Sequence, residues 1–165
     1  MSIDWVTIVL MWVIGMISYI VVTQKKRHRK VLFTILVCQA ILWLNAFIHV
    51  EFHLIAYPVR ELPIATNVLF TTEYFFYPLV CGVYLAYEPK RRSYWVRLFY
   101  LSVWISALTV YDLILAKFTN LIEYLHYAWY FTWLNYFLIF VVTNGIFQWF
   151  FHEKRYFQKD QEAAK

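Results

Sequence analysis

The sequence predicts an all-α integral membrane protein, a bundle of five transmembrane helices with its amino terminus outside and its carboxyl terminus in the cytoplasm. Three observations carry this expectation. Hydrophobic residues make up 62% of the 165-residue chain and charged residues 15%, against roughly 45–50% and about 25% in soluble domains. Too few polar groups exist to cover a water-exposed surface of this size. Five apolar stretches each reach the ~20 residues that cross a hydrocarbon core. Finally, Lys and Arg collect at alternate connections, as they do on the cytoplasmic side of membrane helices.

The first span is expected over 3–22. It carries Asp4 ahead of the apolar run and ends in a basic cluster without a small-residue cleavage pattern, so it reads as a retained helix and not as a signal peptide. The second is expected over 31–55, with Pro58 beyond its end, and the third over 64–87, with Pro63 suited to its first turn and Pro89 after it. Pro78 lies inside the third span, where it should free the Tyr74 carbonyl and bend the helix. The fourth is expected over 96–116. The fifth runs over 121–151, where Asn120 and Glu123 have the spacing of a capping box. Residues 152–165 form a charged cytoplasmic tail, and 1–151 form one transmembrane domain.

With the amino terminus outside, the inner connections hold five Lys and Arg before the second span, four at Lys90, Arg91, Arg92 and Arg97, and four in the tail. Only Arg60 and Lys117 of the fifteen fall outside. The net charge of +5 therefore reflects membrane orientation, and no nucleic-acid partner is expected. The lipid bilayer is the expected environment, and a homo-oligomer or a membrane-protein partner is compatible with it.

Ionisable side chains near the bilayer centre cost about 2.5–3.5 kcal/mol on insertion scales, so each asks for a partner or a function. Glu73 is the deepest acidic group, and Asp112 lies toward the outer end of the fourth span. On the second span Asn45, His49, Phe52 and His53 recur at helical spacing. His126, Tyr130 and Trp133 follow a stripe on the fifth, which reads either as an interfacial aromatic belt or as an aromatic wall. Together with Arg60, these residues fall at mid-depth or in the outer half of the bundle. They outline a polar binding pocket open to the outside: Asn45, His49, His53, Arg60, Glu73, Asp112, His126, Tyr130 and Trp133. Glu73 is expected to face the bundle interior, with His49 as its closest ionisable partner. Glu51, Glu61, Glu123 and Lys117 read as solvated interfacial groups.

Chemistry-bearing motifs are scarce. His49-Val50-Glu51-Phe52-His53 places its Glu about 200° around the helix from His49, unlike the H-E-x-x-H of zinc proteases. No phosphate-binding loop, dinucleotide fingerprint or serine-hydrolase elbow occurs. Cys38 and Cys81 sit in separate apolar runs and make no C-x-x-C pair. No enzymatic activity, cofactor or metal is expected.

Three segments carry a resemblance: Tyr57-Pro58-Val59-Arg60-Glu61; Thr72-Glu73-Tyr74-Phe75-Phe76-Tyr77-Pro78 with Cys81; and Trp129-Tyr130-Phe131-Thr132-Trp133. With the helix spacing, the chain from Val50 to Phe151 resembles an uncharacterised family of small multi-pass membrane proteins of Bacillus and Clostridium relatives, named after a Clostridium botulinum reading frame. Phe131 stands where that family often has Trp. The resemblance implies a bacterial plasma-membrane protein and directs attention to Arg60, Glu73, Pro78 and Trp133, and it brings no activity with it. The expected function is binding or sensing through the outward-facing pocket. The alternative is proton- or cation-coupled transport using Glu73.

Overall fold

The computed structural model describes residues 3–23, 28–89, 93–126 and 128–163, with side chains for these except 23, 28 and 152–163. The basic residues Lys25, Lys26, Arg27, Lys90, Arg91, Arg92 and Lys165 lie outside the described residues. Helix α1 covers Ile3–Thr23 and α2 covers His28–Glu51. A π-helix, Thr71–Phe76, leads directly into α3, Tyr77–Tyr87. Helix α4 covers Tyr94–Phe118 and α5 covers Trp129–Ala163. Two short strands, β1 (Ile55–Ala56) and β2 (Glu123–Tyr124), pair antiparallel.

Four of these helices, within α1, α2, α4 and α5, are long and apolar enough to cross a membrane. Burial follows the pattern of a membrane protein. Val9, Leu10, Val13, Ile17 and Ile20 of α1 are exposed, while Thr34, Glu73, Thr109, Asp112 and Thr143 are buried. Helices leave no backbone donor or acceptor unpaired in lipid, so apolar side chains can face outward at no penalty. Helices α2 to α5 share one apolar core around Leu42, Tyr77, Cys81, Ile105 and Phe140. Helix α1 packs on the outside of α3, where Gly15 admits the Phe75 ring: a Cβ at Gly15 would lie 2.4 Å from it. Trp12 stacks on the same ring, with centroids 4.1 Å apart.

Three expected boundaries are corrected. Helix α2 ends at Glu51 and not at residue 55. His53 adopts φ 51, and the amides of His53 and Leu54 bond the carbonyls of Val50 and His49, a left-handed turn that closes a helix end. Pro58 is thus not what stops α2, and His53 leaves the face that carries His49. The third helical run begins around Phe70 and not at residue 64. Residues 62–66 turn on the Leu62 carbonyl, and the first helical amides are met from outside the helix by Glu61. Its Oε2 accepts from Phe70 N (3.1 Å) and its Oε1 from Thr71 N (3.0 Å). The helix starts where that carboxylate satisfies it.

Helix α5 starts at Trp129 and not at residue 121. The Asn120 and Glu123 capping box does not form: Asn120 N donates to Asp4 Oδ1 at 2.8 Å, and Glu123 lies in β2. Leu121 and Ile122 are buried beneath the strand pair with Ile8, Met11 and Leu115, so apolar residues expected in a span form a plug at the bundle end.

Pro78 frees the Tyr74 carbonyl, as its position predicts. Lacking an N–H, it cannot bond the Tyr74 carbonyl, which instead accepts from Gln39 Nε2 on α2 at 3.0 Å. The turn before it widens, with Tyr77 N bonding Thr72 O, the i to i−5 spacing of a π-helix. Such insertions are frequent at functional sites.

Candidate functional site

The widened turn carries Glu73 into the bundle. Thr71, Thr72 and Glu73 are all buried, followed by Tyr77 and Pro78. Tyr57, on the segment between β1 and the π-helix, reaches inward and donates to Glu73 Oε1 at 3.2 Å. Burial, reinforced by the adjacent Glu73 and Asp112 carboxylates, holds the Tyr57 phenol well above its usual range. Its O–H therefore remains a donor.

Asp112 of α4 lies on the same cavity and accepts from two tyrosines. Tyr77 donates to Oδ1 and Tyr136 of α5 to Oδ2 at 2.7 Å. Both oxygens are thereby satisfied by O–H donors in a region without bulk water, which is what makes a buried carboxyl tolerable. The cavity between these groups has a volume of about 30 Å³. That is room for about one or two waters, and too little for an organic ligand. Asn45 and His49 of α2 also line it. His49 Nδ1 lies 2.7 Å from the Asn45 carbonyl, which can only accept. Nδ1 is therefore the donor in this contact.

Four of the expected pocket residues are thus brought together: Asn45, His49, Glu73 and Asp112. Glu73 faces the interior as expected, beside the same cavity as His49, and accepts a hydrogen bond from Tyr57. The other five lie elsewhere. His53 and Tyr130 are exposed. His126 is exposed too, with Nδ1 3.4 Å from the His53 carbonyl. Arg60 donates to Asn67 Oδ1 at 3.0 Å. Trp133 is half-buried, bonds Ser106 Oγ at 3.1 Å and stacks on Phe137. None of Trp129, Tyr130, Trp133 and Phe137 lines this cavity, and Trp133 and Phe137 pack on each other. Among the described residues, no three His, Cys, Asp or Glu side chains converge where a metal ion could be held.

The tyrosines are what residue patterns missed. Tyr57, Tyr77 and Tyr136 are three among fourteen, and no spacing separates them from exposed ones such as Tyr74, Tyr87, Tyr94 and Tyr130. All the cavity groups sit toward the end of the bundle closed by β1 and β2. A hydrogen bond between Thr132 Oγ1 and Tyr124 OH (3.3 Å) links α5 to that strap. No protein-family model matches the chain, and neither a curated protein nor a solved structure is significantly similar to it.

Proposed function

We propose that this chain is a non-enzymatic, multi-pass protein of a bacterial plasma membrane that senses or carries a proton through the buried centre of Glu73 and Asp112. One observation carries the reading: two carboxyl groups and three tyrosine hydroxyls enclose a cavity of about 30 Å³ in the bundle interior. A space of one or two waters admits a proton relay and excludes larger solutes. Ionisable groups at such depth mark proton and ion pathways in membrane proteins. Among the described residues Asp112 accepts on both oxygens whereas Glu73 receives one O–H, so Glu73 is the group that gains and loses the proton. His49 lines the same cavity and supplies a neighbouring relay group. The resemblance to the Bacillus and Clostridium family agrees with this setting, and a small cation in place of the proton is the second reading.

Proteoliposomes with an imposed pH gradient test it. Wild-type protein is expected to dissipate the gradient and Glu73→Gln to abolish this while keeping its helical circular dichroism. If the protein senses without transport, wild type shows no flux. Infrared difference spectra on an external pH step then show a carboxyl band that Glu73→Gln removes. Equal flux in both proteins, or neither flux nor a Glu73-dependent band, rejects the proposal.

The orientation belongs to the same proposal. The bundle end with the strap holds Arg60 and Lys117, and the positive-inside bias puts it outside. A reporter active only in the cytoplasm is expected to work when fused after Lys165 or Arg92 and to fail after Arg60. A cytoplasmic signal from the Arg60 fusion refutes this orientation.

A further inference from the structure

At the opposite end of the bundle, far from Glu73, a second polar site is built where α3 hands over to α4. Glu88 follows the last residue of α3, and Arg97 lies in the first turn of α4. Arg97 Nε and Nη2 both donate to one oxygen, Glu88 Oε1, at 3.0 and 2.7 Å. The Glu88 side chain is 1% exposed and that of Arg97 32%. Glu88 Oε2 is buried and has no hydrogen-bond partner among the described residues. A charged oxygen buried without a donor is costly enough that such groups are normally paired. The pair also leaves the Nη1 donors of Arg97 uncommitted among the described residues.

Both side chains line a cleft of about 340 Å³ between α4 and α5. Its polar end adds Asn144 and Gln148, tied to each other by Gln148 Nε2 donating to Asn144 Oδ1 at 3.0 Å. Its other end is apolar, with Leu101, Phe137 and Val141. From Asn144 back to Phe137 is roughly 10 Å along a helix at 1.5 Å per residue, so the polar end lies near the boundary and the apolar end runs toward the bilayer centre. Gly145 borders open space in the cleft, where a Cβ would meet nothing within 4 Å.

The geometry points to a binding site for a phospholipid whose phosphate carries a primary ammonium, as in phosphatidylethanolamine. Its ammonium donates to Glu88 Oε2, its phosphate accepts from Arg97, and its acyl chain starts along Leu101, Phe137 and Val141. Charge complementarity selects this occupant. The acceptor without a donor needs an N–H, and a neighbouring guanidinium needs an oxyanion, for which Arg is well shaped. A trimethylated headgroup offers the phosphate and no N–H. A glycerol headgroup offers the phosphate and no cation.

Native mass spectrometry of the full chain in detergent, titrated with dioleoyl phosphatidylethanolamine, phosphatidylcholine or phosphatidylglycerol, tests this. Wild type is expected to bind the ethanolamine lipid about tenfold more tightly than the choline lipid, the worth of one charge-assisted hydrogen bond. Glu88→Gln places an amide where Oε2 was and is expected to bring the two within about twofold. Gly145→Leu, which favours the helix and leaves the ion pair intact, is expected to fill the cleft and weaken the ethanolamine lipid severalfold. This second variant decides the matter even if Glu88→Gln does not fold. Equal binding of the ethanolamine and choline lipids by wild type, or an unchanged affinity in Gly145→Leu, overturns the inference.

Discussion

Replacing Asp112 by Ala is expected to destabilise the protein by about 2–4 kcal/mol, measured by denaturant unfolding in mixed micelles. Two buried phenols, Tyr77 and Tyr136, donate to this one side chain. Removing it leaves both O–H groups without an acceptor, at about 1–3 kcal/mol each. The lower half of that range applies here, because the unfolded chain in a membrane also finds partners and interhelical bonds average only about 0.6 kcal/mol. Asp112→Asn keeps one acceptor oxygen and turns an amide donor toward the other tyrosine, so about half the loss is expected. The combination of Asp112→Leu with Tyr77→Phe and Tyr136→Phe is expected to recover much of the stability, since an apolar set leaves nothing unpaired. An Asp112→Ala protein within about 0.5 kcal/mol of wild type would show that these bonds do not hold α3, α4 and α5 together.

The second large effect is expected at Glu61. Its carboxylate spans the first two amides of the third helical run, Phe70 N and Thr71 N, and sits at the positive end of that helix's dipole. Charge-assisted bonds of this kind contribute about 1.5–3 kcal/mol, and a helix cap typically about 1. Glu61→Ala is therefore expected to lower stability by about 2–3 kcal/mol, with Glu61→Gln intermediate because it retains one acceptor. The local readout is amide hydrogen exchange, where residues 70–73 are expected to lose protection before the rest of α3. Glu73 lies two residues beyond Thr71, so fraying of this turn also moves it away from the Tyr57 hydroxyl. A weaker pH response in Glu61→Ala, with Glu73 itself untouched, is the functional consequence. Unchanged protection at 70–73 would assign the cap no role.

Glu61 also marks where residue patterns stop being informative. It read as one of four solvated interfacial groups, and Glu51, Glu123 and Lys117 are indeed exposed. Glu61 differs only because residues 62–69 fold back and present two amides to it. The helical face through Asn45 and His49 was legible, since both lie within α2 and periodicity holds there. It failed at His53, where the chain had already turned left-handed. The capping box at Asn120 failed because Asp4, 116 residues away, takes the Asn120 amide first.

The sequence by itself determined that the chain carries helices long and apolar enough to span a membrane, that Lys and Arg collect at alternate connections, that Pro78 frees the Tyr74 carbonyl, and that Glu73 faces inward. Each is a local property: a sum of transfer free energies over about 20 residues, one missing N–H, or one charge that lipid will not accept. Only the tertiary structure decided the partners. Tyr57 meets Glu73 from 16 residues away and Tyr77 meets Asp112 from 35, and Gln39 takes up the carbonyl that Pro78 releases. A buried polar group must be satisfied, and that requirement is written in its own chemistry. Which of several equivalent hydroxyls satisfies it depends on how the helices pack and turn, and no single segment contains that information.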